Sequence, residues 1–290
     1  MKQYIFNTYV RLLKKLSGGY GIGKHPFFRP IFKKTYQHLK PDFIIIQNQK
    51  MFLDPKDSLQ LSLNGVYSEF ETEIVKNEIK PNDVVIDIGA HIGYFTLLFT
   101  MLVGPKGKVF SFEPEPKNFE LLKKNIEINN HQNIISECRV VSDKNEKCIL
   151  YTFTSSSGAN RIYKPENNSE AKPIKSESIS LDEYFKNSSY SKKIKFIKID
   201  VEGAEFQALL GMKSIIQSNS KLKLFIEFNP SFLKQMGTEP KDLLDFLTKN
   251  NFTLFLIDSE KHCLIESTTD NILKSNLYKD QVVNLLCKKI

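Results

Sequence analysis

The chain has 290 residues, of which 41% are hydrophobic and 26% are charged, and its formal net charge is +8. This length suits one large domain with an appendage, and the hydrophobic share is enough for a packed core, which argues against an intrinsically disordered chain. The charge is uneven, because residues 1–40 hold nine of the 41 lysine and arginine residues and none of the 33 acidic residues. The rest of the chain is therefore close to neutral.

The cysteines and the hydrophobic runs indicate in which compartment of the cell the protein is expected. The four cysteines have neither metal-ligand nor disulfide-framework spacing, so we interpret them as thiols in a reducing compartment. No apolar run approaches the ~20 residues that a membrane span needs, and polar residues interrupt the first apolar stretch, unlike the core of a signal peptide. We expect a cytoplasmic protein.

Residues 1–40 form the first predicted domain, a basic amphipathic arm. Apolar residues recur at helical spacing between Ile5 and Leu16, and a second basic and aromatic segment runs from Pro26 to Leu39. Three roles remain open for this arm. It packs on the main domain, it lies on the anionic inner face of a membrane, or it contacts nucleic acid.

A short β element is predicted after the arm, with strands at Phe43–Ile46, Lys50–Leu53 and Leu59–Leu63. A helix at Glu71–Ile79 then leads into the next strand. Tyr67 precedes this helix, and we expect it to fold over the turn that follows the strand and to contribute to a cofactor site.

The stretch that follows is the strongest pattern in the chain. Val84–Ile88 predicts a buried strand, residues 89–93 a turn of small residues, and Tyr94–Val103 an apolar helix, which is how doubly wound α/β domains hold a nucleoside-containing ligand. The dinucleotide pattern fails, because His91 and Tyr94 occupy its second and third glycine positions. Asp87 at the strand tip would repel a pyrophosphate but can pair with an ammonium group.

A second acid points to the same ligand. Glu113 closes the strand Gly107–Glu113, 20 positions after Gly93, where a carboxylate can accept both ribose hydroxyls. S-adenosylmethionine has an ammonium group, a sulfonium and a ribose but no phosphate, so it fits both acids. In the alternative interpretation, Asp87 and Glu113 only cap the helices that follow them.

The remaining pattern predicts a mostly parallel sheet. Strands alternate with helices, which indicates a doubly wound, Rossmann-like α/β fold with right-handed crossovers. We assign residues 41–290 to this domain, with an inserted hairpin and polar loop at about residues 144–180. The further predicted strands are Ile134–Val141, Ile149–Phe153, Ile174–Ile179, Ile194–Asp200, Leu222–Phe228, Phe252–Ile257 and Val282–Leu286.

Five segments then match a known family in order: Asp87–Gly93, Phe112–Pro114, Val141–Asp143, Ile199–Glu205 and Ile226–Phe228. Together they resemble the FkbM-type methyltransferases, a branch of the class I fold that depends on S-adenosylmethionine, over about residues 60–260. The resemblance implies a seven-stranded sheet with an antiparallel last strand. It also implies methylation of a hydroxyl, often on a sugar or a polyketide.

The resemblance also implies roles for single residues. Gly89 and Gly93 would line the methionine part of the cofactor, Glu113 would hold its ribose, and Ser142 and Asp143 would lie beside its adenine. Three residues depart from the family pattern: His91 stands where asparagine is expected, Glu69 lies one place later than usual, and Asn229 replaces an aromatic residue. His91 belongs to the predicted cofactor site, where its ring hydrogen-bonds backbone or acts as a base.

Three acids are the candidate catalytic residues. Asp200, Glu202 and Glu227 follow or end adjacent predicted strands, and ligands of such sheets bind at the carboxyl ends of the strands. An alcohol needs a base or a metal to take its proton before it attacks a methyl group. We expect a general base rather than Mg²⁺, because no histidine or further acid completes an obvious metal cage. Each acid also has an alternative role. Asp200 binds the ammonium group of the cofactor or caps the following helix, Glu202 is a first-turn acid, and Glu227 is a buried partner of an arginine.

The inserted loop supplies the candidate substrate-binding residues. Asn160 and Arg161 lie in this loop, and insertions of this kind usually cover a site or shape its substrate. Arg161 either contacts an anionic substrate or is a loop arginine without such a role.

The sequence therefore predicts an O-methyltransferase that uses S-adenosylmethionine and acts on a hydroxyl of a carbohydrate, a glycolipid or a related small molecule. Two alternatives remain. The aromatic and basic arm suits an RNA methyltransferase, although the neutral body lacks a basic face for nucleic acid. A catalytically silent binding module of the same fold is the other alternative.

Overall fold

The computed structural model describes residues 38–154, 156–164, 170–275 and 282–289, together with positions 6, 8 and 35. The chain divides into two compact units, Met1–Tyr67 and Ser68–Ile290. The predicted basic arm at residues 1–40 lies almost entirely outside the described residues, so its helix, its lipid contact and the domain boundary at residue 40 stay predictions. None of the helices in the described ranges is long and apolar enough to cross a bilayer.

The first unit contains the first two strands of the predicted β element. Strands β1 (Phe43–Ile46) and β2 (Gln49–Phe52) pair antiparallel. The predicted third strand at Leu59–Leu63 is wrong, because this segment contains a helical turn, α1 (Leu61–Asn64). The carboxylate of Asp57 accepts the backbone N–H groups of Leu61 and Ser62 at 2.9 and 3.1 Å. This side-chain cap satisfies the free donors of a helix start and overrides the apolar alternation.

The second unit is built on an eight-stranded sheet. Its strands are β3 (Val84–Ile88), β4 (Lys108–Phe112), β5 (Ile134–Glu137), β9 (Ile194–Ile199), β10 (Lys223–Phe228), β11 (Phe252–Asp258), β12 (Cys263–Ser267) and β13 (Val283–Lys289). Their order across the sheet is β12-β11-β13-β10-β9-β3-β4-β5. Five neighbouring strands, from β10 to β5, are parallel, and β13 runs antiparallel between β10 and β11. The predicted doubly wound fold and its antiparallel last strand are confirmed, and β12 is an eighth strand added at the edge.

The predicted strand Ile134–Val141 is divided between two sheets. Its first part is β5, and its end, β6 (Val140–Val141), pairs in parallel with β8 (Ala171–Ile179). Strand β7 (Lys147–Phe153) pairs antiparallel with β8, which confirms the predicted hairpin. The small sheet β6-β8-β7 is thus separate from the main sheet.

The helices of the second unit begin with α2 (Glu69–Glu78) and follow most of the strands. The helical segment between residues 205 and 218 is interrupted at Gly211, where a Cβ would lie 2.0 Å from the carbonyl oxygen of Ser142. The others are α3 (Tyr94–Val103), α4 (Pro116–Ile128), α5 (Leu181–Tyr184), α6 (Glu205–Leu210), α7 (Lys213–Ser218), α8 (Pro230–Gln235), α9 (Pro240–Lys249) and α10 (Thr269–Lys274).

The register of the central strands sets the position of the polar residues. Ile88 lies opposite Phe112 on one side and Ile199 on the other, and Ile199 lies opposite Ile226. These apolar side chains belong to the buried core of the unit, as expected for strands covered on both faces. The residues that come next, Gly89, Glu113, Asp200 and Glu227, therefore lie at the same level on four neighbouring strands, at the carboxyl ends of the parallel strands.

Candidate active site

The turn after β3 is fixed by its neighbours on both sides. Gly89 has φ +79°, and a Cβ there would lie 1.8 Å from the carbonyl oxygen of Asp200, so only glycine fits. The N–H groups of Gly89 and Ala90 both donate to the carbonyl oxygen of Phe112 at 3.0 Å. Gly93, with φ +96°, is the N-cap residue of α3. The predicted turn is thus held between the ends of β4 and β9.

Glu113 lies directly beside this turn. Its carboxylate accepts the backbone N–H of His91 at 2.8 Å and that of Glu115 at 3.0 Å, and its residue is 5% exposed. Burial raises the pKa of Glu113 to about 7, against the effect of the two backbone donors. The side-chain amide of Asn118 also donates to Glu113 Oε1, at 3.5 Å. A carboxylate has about four acceptor positions, so Glu113 keeps some acceptor capacity for a ligand.

Asp87 is fully buried and is already paired within the protein. The hydroxyl of Thr96 donates to its Oδ2 at 2.6 Å, and Lys198 Nζ lies 3.8 Å from its Oδ1. Burial raises the pKa of Asp87, and the charge of Lys198 opposes that rise. The role of Asp87 toward an ammonium group stays a prediction, and such a group would compete with Lys198.

Lys198 is a site residue that the sequence analysis missed. Its Nζ lies 3.1 Å from Asp200 Oδ2 and donates to the carbonyl oxygen of Gly89 at 3.4 Å. Burial acts to lower its pKa, but Asp200 and Asp87 outweigh burial and the pKa is raised. The signal in the sequence was a lysine within an apolar strand, two positions before Asp200.

Asp200, Glu202 and Glu227, the three predicted catalytic acids, come together as the sequence analysis expected, and Glu205 joins them. Burial, with repulsion from Asp200, raises the pKa of Glu202 to about 8 and that of Glu227 well above its ordinary value. Among the described residues, no donor reaches Glu227 Oε2, which is buried. Asp200 is the more accessible acid, with a side chain that is 31% exposed. Such a cluster can take up or release a proton near neutral pH.

A loop from the small sheet reaches the turn. His91 Nε2 and the hydroxyl of Ser157 are 2.7 Å apart, and the side-chain amide of Asn118, on α4, donates to the Ser157 carbonyl oxygen at 2.8 Å. His91 therefore makes a side-chain contact to the loop, besides the bond of its own N–H to Glu113. The loop covers this side of the turn.

Arg161 and Asn160 occupy the same loop. The Arg161 guanidinium lies 4.5 Å from the ring centre of Phe232 and donates to the hydroxyl of Tyr163 at 3.1 Å. Its charge acts to lower the pKa of Glu202, so it faces the acid cluster. Asn160 accepts the N–H of Phe153 and donates to the Ser157 carbonyl oxygen. These contacts hold the loop, and a substrate contact by either residue stays a prediction.

The other predicted cofactor residues are Ser142, Asp143 and Tyr67. Ser142 follows β6, and its hydroxyl donates to Asp143 Oδ1 at 3.1 Å. Ser142 is buried and Asp143 is exposed. Tyr67 is the last residue of the first unit and is half-buried. Their contacts with a cofactor stay predictions.

Binding of Mg²⁺ by Asp200, Glu202 and Glu227 is the alternative to a general base. Within the described ranges, no group of three or more His, Cys, Asp or Glu side chains is arranged to hold a metal ion. Methyl transfer measured with and without a chelator tests whether the reaction needs Mg²⁺.

Comparisons with known proteins match this part of the chain. The family model described as Methyltransferase FkbM domain matches residues 87–254, which is more than half of the chain. Hexuronic acid methyltransferase AglP of Haloferax volcanii is 26% identical over 189 residues, covering 61% of this chain and 66% of AglP. The protein 31-O-demethyl-FK506 methyltransferase FkbM of Streptomyces tacrolimicus is 40% identical over 63 residues, covering 22% of this chain and 24% of that relative. The chain thus spans less than two thirds of the length of either curated relative.

A solved structure is also similar. Methyltransferase FkbM from Methylobacillus flagellatus KT is 16% identical, with a TM-score of 0.42. That alignment covers 81% of this chain and 53% of the other.

Proposed function

Because the matched domain covers more than half of the chain, the chain belongs to the FkbM methyltransferase family, and we propose that it transfers a methyl group from S-adenosylmethionine to a hydroxyl of a carbohydrate or glycolipid. The observation that carries the proposal is the position of Glu113. Its buried carboxylate is held by the N–H of His91 within the glycine turn itself. A hydrogen bond thus joins Glu113 directly to the glycine turn that we propose as the cofactor-binding turn.

The residues at this edge fit the proposed cofactor. Glu113 is an acceptor with remaining capacity, as a ribose diol requires. The turn from Gly89 to Gly93 lets backbone approach a ligand where side chains would interfere. Two carboxylates, Asp87 and Asp200, flank Lys198 beside the turn, and either offers an opposite charge to an ammonium group.

Asp200 is the better placed of these two acids for the ammonium group. Asp87 is 0% exposed and has both Thr96 and Lys198 as partners. Asp200 shares the same lysine, but its side chain is 31% exposed. In the proposed arrangement Asp87 holds Lys198 and Asp200 contacts the ammonium group, which is one of the roles left open for Asp200 from the sequence.

The acid cluster supports proton removal from the acceptor. S-adenosylmethionine supplies an electrophilic methyl group on sulfur, and the chain must hold an oxygen in line with it. Glu202 has a pKa of about 8, so its ionised form is a base near the operating pH, as general-base catalysis favours. Glu227, on the adjacent strand, is a second acceptor for the same proton or for a neighbouring hydroxyl.

A hydroxyl on a sugar is the proposed acceptor. Carboxylates that converge on a covered site suit the hydrogen-bonding groups of a polyhydroxylated ligand. The relative AglP is named as a hexuronic acid methyltransferase, which favours the same class here. Arg161, which faces Glu202, is the proposed contact for an anionic group on such a ligand, with Asn160 shaping the loop that carries it.

The arm at residues 1–40 is proposed as a peripheral membrane contact. Its nine basic residues without an acid would each add ~1 kcal/mol near an anionic surface. Cosedimentation of the full chain with phosphatidylglycerol vesicles, lost in phosphatidylcholine vesicles and in high salt, is the expected result. Equal recovery with both lipids would contradict it.

The enzymatic proposal is tested by mass spectrometry of glycans and glycolipids from cells with and without the protein. We expect one species to lose the mass of a methylene group when the protein is absent. Purified full chain should then transfer a labelled methyl group from S-adenosylmethionine to a polysaccharide extract, with and without a chelator. Transfer to total RNA but not to the polysaccharide extract would replace this proposal with an RNA methyltransferase.

A further inference from the structure

The loop between β9 and α6 contains two successive residues in the left-handed conformation. Glu202 has φ 56° and Gly203 has φ 105°. A residue with a side chain in this region costs ~1–3 kcal/mol and persists only where its surroundings enforce the conformation. Some contact must therefore hold Glu202, the proposed base.

The carboxylate of Glu205 is that contact. Its Oε1 accepts the N–H of Val201 at 3.1 Å and the N–H of Gly203 at 3.0 Å. The two donors flank Glu202 in the chain, so one oxygen brackets the strained residue. On the far side, a Cβ on Gly203 would lie 2.7 Å from the carbonyl oxygen of Phe232, so the loop is also seated against α8.

Glu205 itself is closed to a substrate. Its residue is 0% exposed, and no donor in the described part of the chain reaches its Oε2. Burial raises its pKa to about 7, against the effect of its backbone donors. Its charge also acts to raise the pKa of Glu202. Any effect on the reaction must therefore pass through the loop and through Glu202.

We propose that Glu205 is a positioning residue, which holds Glu202 in its left-handed conformation so that the Glu202 carboxylate meets the acceptor hydroxyl. The role in the reaction rests on the proposed function. The role in the loop rests only on the contacts of Glu205, so the two parts can fail separately.

Hydrogen exchange tests the loop without any substrate. Glu205→Met removes both acceptors while keeping the length of the side chain, and Glu205→Gln keeps the Oε1 acceptor as an amide oxygen. We expect the amides of Val201 and Gly203 to exchange at least about tenfold faster in Glu205→Met, and near the wild-type rate in Glu205→Gln. Unchanged exchange in Glu205→Met, or equal acceleration in both variants, would overturn the proposal. If Glu205→Met shows no cooperative urea transition, Glu205→Asp takes its place, because it shortens the side chain by one methylene.

Activity tests the second part with the same variants. We expect kcat of Glu205→Met to fall at least about tenfold. The KM for the acceptor and the affinity for S-adenosylhomocysteine should stay within about twofold of the wild-type values. Glu205→Gln should keep most of the wild-type kcat. In Glu205→Gln, loss of the neighbouring charge should also shift the acid limb of the kcat/KM profile to lower pH. A kcat unchanged in Glu205→Met, despite fast exchange, would remove the positioning role. If no acceptor is methylated by the wild-type chain, the proposed function fails while the exchange result still decides the loop.

Discussion

The turn after β3 and the loop after β9 lie side by side at one edge of the sheet, but the carboxylates of the two regions differ in the donors that reach them. At the turn, both oxygens of Glu113 accept backbone N–H groups. Asp87 Oδ2 accepts the Thr96 hydroxyl, and its buried Oδ1 faces the Lys198 ammonium group at 3.8 Å without a hydrogen-bond donor in the described part of the chain. At the loop, Asp200 has the Lys198 ammonium group, while buried oxygens of Glu205 and Glu227 lack a donor in the described part of the chain.

This difference separates two tasks. A carboxylate whose hydrogen bonds are fixed keeps one geometry, which suits recognition of a cofactor. At the loop, repulsion from Asp200 adds to burial in raising the pKa of Glu202 and Glu227, which suits proton transfer to and from a substrate. Lys198 joins the two regions, because it contacts Asp87 on one side and Asp200 on the other.

The largest effect on stability is expected from replacing Lys198, which the two regions share. Lys198→Met leaves Asp87 buried without its cation, and removal of one partner of a buried ion pair costs about 3–5 kcal/mol. Urea unfolding of the full chain should show this loss, with partial recovery in the double variant Lys198→Met/Asp87→Asn. Lys195→Met is the matched control, because Lys195 is half-buried on the same strand. Equal stability of the two lysine variants would contradict a structural link.

The next effect comes from the tight contact between the two regions. Gly89→Ala places a Cβ 1.8 Å from the Asp200 carbonyl oxygen at φ +79°, so the free energy of unfolding should fall by at least about 3 kcal/mol from clash and strain together. Gly104→Ala is the control, since Gly104 also has positive φ (+68°) but nothing within 4 Å of its Cβ position. It should lose only about 1 kcal/mol. Similar losses would mean that the two loops are not in close contact.

A third substitution tests only the proposed role of the loop after β9 in proton transfer. Glu202→Gln removes the proposed base, so kcat should fall about 100-fold or more, while affinity for S-adenosylhomocysteine stays near that of the wild type. Glu239→Gln, at an exposed acid, should leave both quantities unchanged. Normal turnover of Glu202→Gln in a methyl-transfer assay would remove Glu202 from the catalytic residues.

The smallest effect is a dependence of stability on pH. The pKa values of Glu205 and Glu202, about 7 and about 8, lie above the ordinary value of 4.5, so the folded chain keeps protons that the unfolded chain has lost. Their contribution to stability is fully present below about pH 4.5 and is lost as pH rises through 7 to 8. The Tm of the ligand-free protein should therefore fall between pH 5.5 and 8.5. The double variant Glu202→Gln/Glu205→Gln should show a smaller fall, and an identical slope would contradict the raised pKa values.

Much of the fold was predictable because local and global signals agree. The strand, turn and helix from Val84 to Val103 combine apolar runs with glycines that the backbone requires, and Glu113 lies where the next parallel strand must end. The strand at Leu59–Leu63 failed because the alternation of its leucines carries no information on the side-chain cap that Asp57 provides.

The contacts that the sequence did not reveal join residues far apart in the chain. Lys198 contacts Asp87 because the two residues are cross-strand partners on the neighbouring strands β3 and β9. More than 100 residues separate Asp87 from Lys198 in the chain. The position of Arg161 over the Phe232 ring depends on a loop without periodicity. Glu205 was visible in the motif, but the fold of its side chain onto the preceding loop follows from backbone dihedral angles that spacing does not encode.

The most direct measurement of cofactor binding at the turn is a calorimetric titration of the full chain with S-adenosylhomocysteine, compared between the wild type and Glu113→Ala. Glu115→Gln is the control, since it keeps the backbone N–H that donates to Glu113. We predict saturable one-to-one binding by the wild type and the control, and affinity at least about 100-fold weaker in a folded Glu113→Ala variant, because a charged acceptor for two hydroxyls is lost. Equal affinity in Glu113→Ala, or no binding by the wild type, would contradict the assignment of this edge of the sheet as a methyl-donor site.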